Sequence, residues 1–389
     1  MCWELKPLED VCSICNGGTP KSSVESYWGG DVNWLTPKDM GKMQGRHIST
    51  TPRKISEEGL RNCSARLVPT SSVIMSTRAP IGHLAINDEP MSFNQGCRGM
   101  VPGNRLDVIY LYYFLSANTE KLNELGTGTT FKELSSSALK AFSIPLPPLE
   151  EQQRIVAILD EAFEGLDRAR AHAEANLQNA RELFRSVLDS VFFNPPEHWT
   201  QSDLGSTCKF VGGSQPPKSE FVYSSGDDLV RLIQIRDYKS DRNIVFIPKS
   251  LARRFCEEDD VMIGRYGPPL FQILRGIKGA YNVALMKALP DPKCLSKDFL
   301  YYFLRNGRIL RYIIESSSRA AGQIGLNKAT IEPYPIAYPS AEEQIKVVQR
   351  LDAASAECDA LESKCAQKLK DIEDLGQSLL QKAFAGELT

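Results

Sequence analysis

The sequence predicts an α+β chain: two globular α/β domains joined by two long helices that form an antiparallel coiled coil, an internal repeat with pseudo-two-fold character. Three observations predict it. An apolar stripe at heptad spacing occurs twice, offset by 192 residues. Each stripe follows a stretch of short apolar runs broken by glycine and proline. Prolines stand where each stretch gives way to its stripe. The segments are 1–148, a first globular domain; 149–194, a long helix; 195–340, a second globular domain; and 341–389, a second long helix.

The first domain opens with Trp3, Leu8 and the turn-rich run Asn16 to Ser23. Asn33 to Thr36 and Ser72 to Met75 read as strands of a compact sheet, because turn residues recur every eight to twelve positions. Val108 to Leu125 has helical spacing. Pro145, Pro147 and Pro148 block continuation from upstream, and Glu150 with Glu151 suits the start of a new helix.

In the first long helix Ile155, Leu159, Ala162, Leu166, Ala169, Ala173, Ala180, Leu183 and Val187 alternate four and three apart, interrupted by Asn176. The second carries Val347, Leu351, Ala354, Cys358, Leu361, Cys365, Ile372, Leu375 and Leu379 in the same register, with Lys368 at the break. Forty-odd residues at about 1.5 Å each make a rod on the order of 60 Å. Such a helix cannot bury its stripe alone, so two matching stripes in one chain are expected to pair, antiparallel. Asn176 and Lys368 either set register or are solvated interruptions.

Phe192-Phe193-Asn194-Pro195-Pro196 ends the first rod. The second domain then repeats the first in outline: Trp199 and Leu204 are spaced as Trp3 and Leu8, Gly212-Gly213 answers Gly17-Gly18, and Phe299 to Leu304 answers Tyr110 to Leu115. Between these anchors the copies diverge. The second rod is expected to run to about Phe384, before Gly386.

With 389 residues and 42% hydrophobic content, the chain can bury sizeable cores. No run approaches a membrane span and the N-terminus does not read as a signal peptide, so a cytoplasmic address without membrane contact is expected. Of ten cysteines only Cys12 and Cys15 have ligand spacing, with no second pair, so no metal site is expected. Glu124-Leu125-Gly126-Thr127-Gly128 follows a helix where a nucleotide loop follows a strand. Asn194-Pro195-Pro196-Glu197 lacks the closing aromatic that would stack on a flipped base. There is no GxxxxGK[ST], and His47, His83, His172 and His198 are scattered. No catalytic constellation and no cofactor site are expected in this chain.

Net charge is −2, but the two globular segments together carry +6 and the two rods −8. That asymmetry permits nucleic-acid binding by the globules, and equally reflects glutamate-rich helices. Side chains able to read base edges stand in the divergent parts: Lys38, Arg46, His47, Arg78, Asn94 and Gln95 in the first domain, and Arg236, Tyr238, Arg265, Tyr266 and Lys278 in the second. Each could equally be an ordinary surface residue.

The run NGGTPKSS, the segment YWGGDVNWLTPKD, IPLPPLEEQQRIVAILD and the terminal LLQKAFAGELT resemble the specificity subunit of type I restriction-modification enzymes across essentially the whole chain. The resemblance implies two target-recognition domains, each reading one half of a bipartite, asymmetric double-stranded DNA sequence, with the helical pair as spacer. It implies a non-catalytic role. It further implies two modification subunits bringing S-adenosylmethionine, and restriction subunits bringing ATP- and Mg-dependent translocation and cleavage. The spacer would then act as a ruler, setting the two domains against groove segments about one helical turn, roughly 34 Å, apart. A coiled-coil adaptor whose globules bind protein partners is the alternative reading.

Overall fold

The computed structural model describes residues 3–78, 80–128, 132–267, 269–318 and 325–388. The long helices are Leu149–Phe192 and Ala341–Ala385. Two compact units form, and each combines a globule with stretches of both helices: Met1–Ala173 with Gln367–Thr389, and Glu174–Ala366.

In the first unit a five-stranded sheet runs in the order Cys12–Asn16, Cys97–Pro102, Val73–Thr77, Ile81–Asn87, His47–Ile48. A three-stranded sheet sets Trp28–Leu35 between Lys54–Ile55 and Met91–Phe93, the last pair parallel. Val73–Thr77 is buried at all five positions, as expected of a β-branched strand covered on both faces. The segment Val108 to Leu125 is not one helix; it breaks into Val108–Ala117 and Thr119–Glu124. The cause is local: Asn118 Nδ2 donates to Phe114 O and Thr119 Oγ1 to Leu115 O, so side chains compete for the carbonyls of the last turn.

The second unit repeats the scheme. Cys208–Gly212, Leu285–Pro290, Val261–Gly264 and Gln272–Leu274 form one sheet. Leu229–Ile233 pairs in parallel with Gly279–Tyr281 in another. The ladders match pair for pair: Cys12 opposes Pro102 as Cys208 opposes Pro290, and Ser76 opposes Cys97 as Gly264 opposes Leu285. The duplication therefore extends through the stretches where the sequences diverge.

The helices pack antiparallel within each unit. In the first, Ile155 and Leu159 share a core with Leu380 and Ala383, while Phe163 and Leu166 lie against Gly376. In the second, Leu188 shares a core with Val348 and Leu351, and Arg181 Nε donates to Glu362 Oε2 at 3.0 Å. Each fully buried leucine contributes about 1.5–3 kcal/mol.

The seam is not the strict heptad stripe. One row stays inside: Leu159, Leu351, Cys358 and Cys365 are buried, and Leu166, Val187, Ile372 and Leu379 half-buried. The other row turns outward. Ile155 is buried and Val347 half-buried, but Leu183 and Leu361 are 51% and 44% exposed, as are Asn176 and Lys368 at the breaks. Leu183 and Leu361 are thus not seam residues. A straight helix drifts about 20° per heptad from a 3.5-residue repeat, which carries this row out of the contact and brings in the next residue round. Phe184 faces inward, its ring against Tyr302, and Glu362 meets Arg181.

The buried glutamine of each Glu-Glu-Gln run docks helix on globule. Gln152 Oε1 accepts from Asp107 N at 2.9 Å, and its Nε2 donates to Arg105 O and Pro147 O. Gln344 makes the same three bonds, with Ser296 N, Cys294 O and Pro339 O.

Candidate nucleic-acid interface

Three turns meet on each unit. In the first, a β-carbon on Gly96 would lie 3.6 Å from Arg78 Cβ and 3.7 Å from Pro37 Cγ. That joins the turn after Trp28–Leu35, the turn after Val73–Thr77 and the turn Asn94 to Gly96. In the second unit a β-carbon on Gly264 would lie 3.2 Å from Ile235 Cδ1, and Arg265 Nη1 donates to Val283 O at 3.2 Å.

The scaffolds beneath the turns are alike. Thr36 and Asp39 cap each other, and in the second unit Asp237 Oδ2 accepts from Gln234 N at 3.0 Å as Asp39 Oδ2 does from Thr36 N at 3.1 Å. Asn94 Oδ1 accepts from Gly96 N at 2.9 Å, and Asn282 Oδ1 from Ala284 N at 3.1 Å. One glycine crosses this turn so closely that a β-carbon on Gly17 would sit 1.9 Å from Asn94 O, and one on Gly213 equally close to Asn282 O. Only glycine fits there. Gly17 therefore answers Gly213 and Gly18 answers Ser214, one residue off the register in which Gly212-Gly213 answers Gly17-Gly18, and the bond from Gly18 N to Phe93 O matches that from Ser214 N to Tyr281 O.

On these scaffolds stand unlike exposed side chains: Lys38 against Arg236, Arg78 against Tyr266, and Gln95 against Val283. Arg78 Nη2 is 2.8 Å from Glu133 Oε2. Tyr266 and Val283 are each 39% exposed.

The remaining sequence candidates other than Tyr238, whose buried hydroxyl has no hydrogen-bond partner, have internal partners. Arg46 grips Asp160 of the first long helix, its Nη2 at 3.1 Å from Oδ2, and also donates to Tyr113. The Arg46 bond holds the Asp160 carboxyl below the usual carboxylate range. Arg46 is thus an anchor between globule and helix. His47 pairs with Asp88 at 2.9 Å, and the Ser49 and His47 bonds lower that carboxyl. Asn94 shapes its own turn. Arg265 Nε donates to Leu326 O, and the guanidinium lies 5.2 Å from the Tyr266 ring centroid. Tyr238 is half-buried and burial pushes its phenol up. Lys278 is exposed and pairs with Glu257 at 2.8 Å.

Val283 and Glu133 escaped the sequence reading, since an apolar and an acidic residue do not signal base contact. The signal was there in structural form: Phe93-Asn94 and Tyr281-Asn282 are the same aromatic-Asn pair. Among the described residues no group of three or more His, Cys, Asp or Glu could hold a metal ion, and no helix is long and apolar enough to cross a membrane.

A doubled fold with unlike side chains on matching turns defines a tandem recognition protein. The type I restriction modification DNA specificity domain matches residues 2–174 and again 196–371, and the chain belongs to that family. It is similar to the MjaIX specificity subunit of Methanocaldococcus jannaschii, 30% identical over 284 residues that cover 63% of this chain and 65% of that protein. The EcoKI specificity subunit of Escherichia coli strain K12 is 23% identical over 420 residues, covering 100% of this chain and 89% of the other. Two solved chains share the fold. One, from a type I R-M system studied for complex assembly and conformational transition, has a TM-score of 0.78 at 20% identity, covering 99% of this chain and 98% of its own. The HsdS subunit from Thermoanaerobacter tengcongensis has a TM-score of 0.55 at 20% identity, covering 99% and 97%.

Proposed function

We propose that the chain is the sequence-reading, non-catalytic subunit of a type I restriction-modification complex, in which each unit reads one half of a bipartite, asymmetric target from the major groove. One observation carries this reading: matching three-turn scaffolds present different side chains in the two units, which is what two unlike half-sites require. Exposed Lys38, Arg78 and Arg236 supply positive charge for approach to phosphate.

The outward row of the long helices is the proposed docking face for two modification subunits, since Leu183, Leu361 and Leu375 stay exposed beside glutamates and aspartates. S-adenosylmethionine would be held by those subunits, and ATP and Mg by restriction subunits.

Titration of the assembled complex against its duplex at rising salt tests the reading. Affinity should fall steeply as counterion release weakens. Binding that is absent, or indifferent to salt, contradicts it and favours a protein-binding adaptor.

A further inference from the structure

We infer that positions 78 and 266 are equivalent base-selecting positions, each held by a backing residue suited to it, Glu133 and Gly325; this rests on the DNA reading above. The equivalence follows from backbone bonds. Thr77 N donates to Gly96 O at 2.7 Å and Leu134 N to Thr77 O at 3.0 Å; Arg265 N donates to Ala284 O at 2.9 Å and Leu326 N to Arg265 O at 3.0 Å. Arg78 therefore superposes in role on Tyr266, and Glu133 on Gly325.

The two pairs differ together. In the first unit the Glu133 carboxylate holds Arg78 through Oε2, while its Oε1 lies 3.8 Å from Arg98 Nη2, which orients the carboxylate in turn. The Arg78 side chain remains 47% exposed. A guanidinium steadied this way offers a planar fork that fits the two acceptors on the major-groove edge of guanine. In the second unit a β-carbon at 325 would lie 2.4 Å from Tyr266 Cε1, so only glycine lets the ring rest there. The Arg265 guanidinium, tied to Leu326 O and Val283 O, backs that ring. A phenol presents an apolar face and one hydroxyl, which suits a thymine methyl or a single acceptor and cannot copy the bidentate fork. Exchanging one member of a pair breaks it: a side chain at 325 strikes the ring, and glycine at 133 releases Arg78.

The test uses the full chain assembled with its modification subunits, selecting bound duplexes from a randomised library, with a salt titration alongside. The wild type should enrich guanine at one position of one half-site. R78K should weaken that preference about ten- to hundred-fold, and R78Y/E133G should move it off guanine, while the other half-site is unchanged. E133Q, which frees a positioning residue's grip on Arg78, should relax the preference more than it weakens total binding. If R78K and R78Y/E133G weaken all duplexes alike, and the double variant, which removes the cation, lowers the salt slope by about one, Arg78 touches only phosphate and the inference fails. An unchanged enriched sequence also overturns it, and should the double variant not assemble, R78K alone decides. A wild-type complex that enriches no sequence removes the DNA reading itself, which the wild-type selection separates from the other outcomes.

Discussion

The hydroxyl of Tyr113 donates to Oδ1 of Asp160 across 2.6 Å, tying the first globule to the first long helix, and in the second unit Tyr302 and Asp352 make the same bond. In the first unit Arg46 adds an ion pair and lies over the Tyr113 ring at 5.6 Å from its centroid. Asp160 is held below its usual 3.8, chiefly by the Arg46 bond. The unfolded chain takes up the proton first as pH falls, so the contribution is full above about 3.8 and is lost as pH drops towards the lowered folded value. Urea unfolding midpoints measured from pH 6 to pH 2 should decline over that acid window, and D160N should flatten the decline attributable to this site.

Gln152 and Gln344, both buried, satisfy backbone groups of the globules where each long helix begins. Q152A leaves Asp107 N and two carbonyls unpartnered and should cost about 1–3 kcal/mol in urea unfolding, with Q344A acting on the second unit in the same way. A cost below about 0.5 kcal/mol for both would mean that the docking rests on apolar contact alone.

The two heptad rows should respond oppositely to charge. L159D and L351D place a carboxylate in fully buried positions and should abolish cooperative unfolding of the folded chain. L183D and L361D change exposed positions and should shift stability by no more than about 0.5 kcal/mol. If the outward row docks the modification subunits, the latter pair weakens co-purification with them while circular dichroism stays native.

Asp260 is a buried carboxylate clamped by Lys287 at 3.0 Å and Lys297 at 2.6 Å. D260A leaves Lys287 with Phe255 O and Lys297 with Asp259 as their remaining partners and should destabilise by about 1–3 kcal/mol, read as a lower unfolding midpoint of the second unit. A hydrophobic replacement of all three side chains should recover much of the loss.

The duplication, the ends of both long helices and their antiparallel pairing were legible because an offset of 192 residues, two proline clusters and Gly386 mark them directly. The helix break at Asn118 was not, because it depends on side chains that bond back to the carbonyls of the preceding turn. The inward row of the seam was legible only in part: Asn176 and Lys368 both fall on the outward row, while the leucines of that row look the same in sequence as those of the inward one and only helical drift separates them. Arg46 looked like a base reader because its partner Asp160 lies 114 residues away in sequence. Arg78 and Tyr266 were both visible as candidates, but their equivalence was hidden by the different lengths of the intervening loops; ladder pairing alone reveals it.

The central claim is that one chain reads two unlike half-sites. Genome-wide mapping of methylated bases in the source cell, with and without this gene, tests it most directly. A gene-dependent motif with two different specified halves flanking an unspecified spacer is the predicted result, with one half changing when residues 1–148 are exchanged. A gene-independent pattern, or a motif left intact by that exchange, would contradict it.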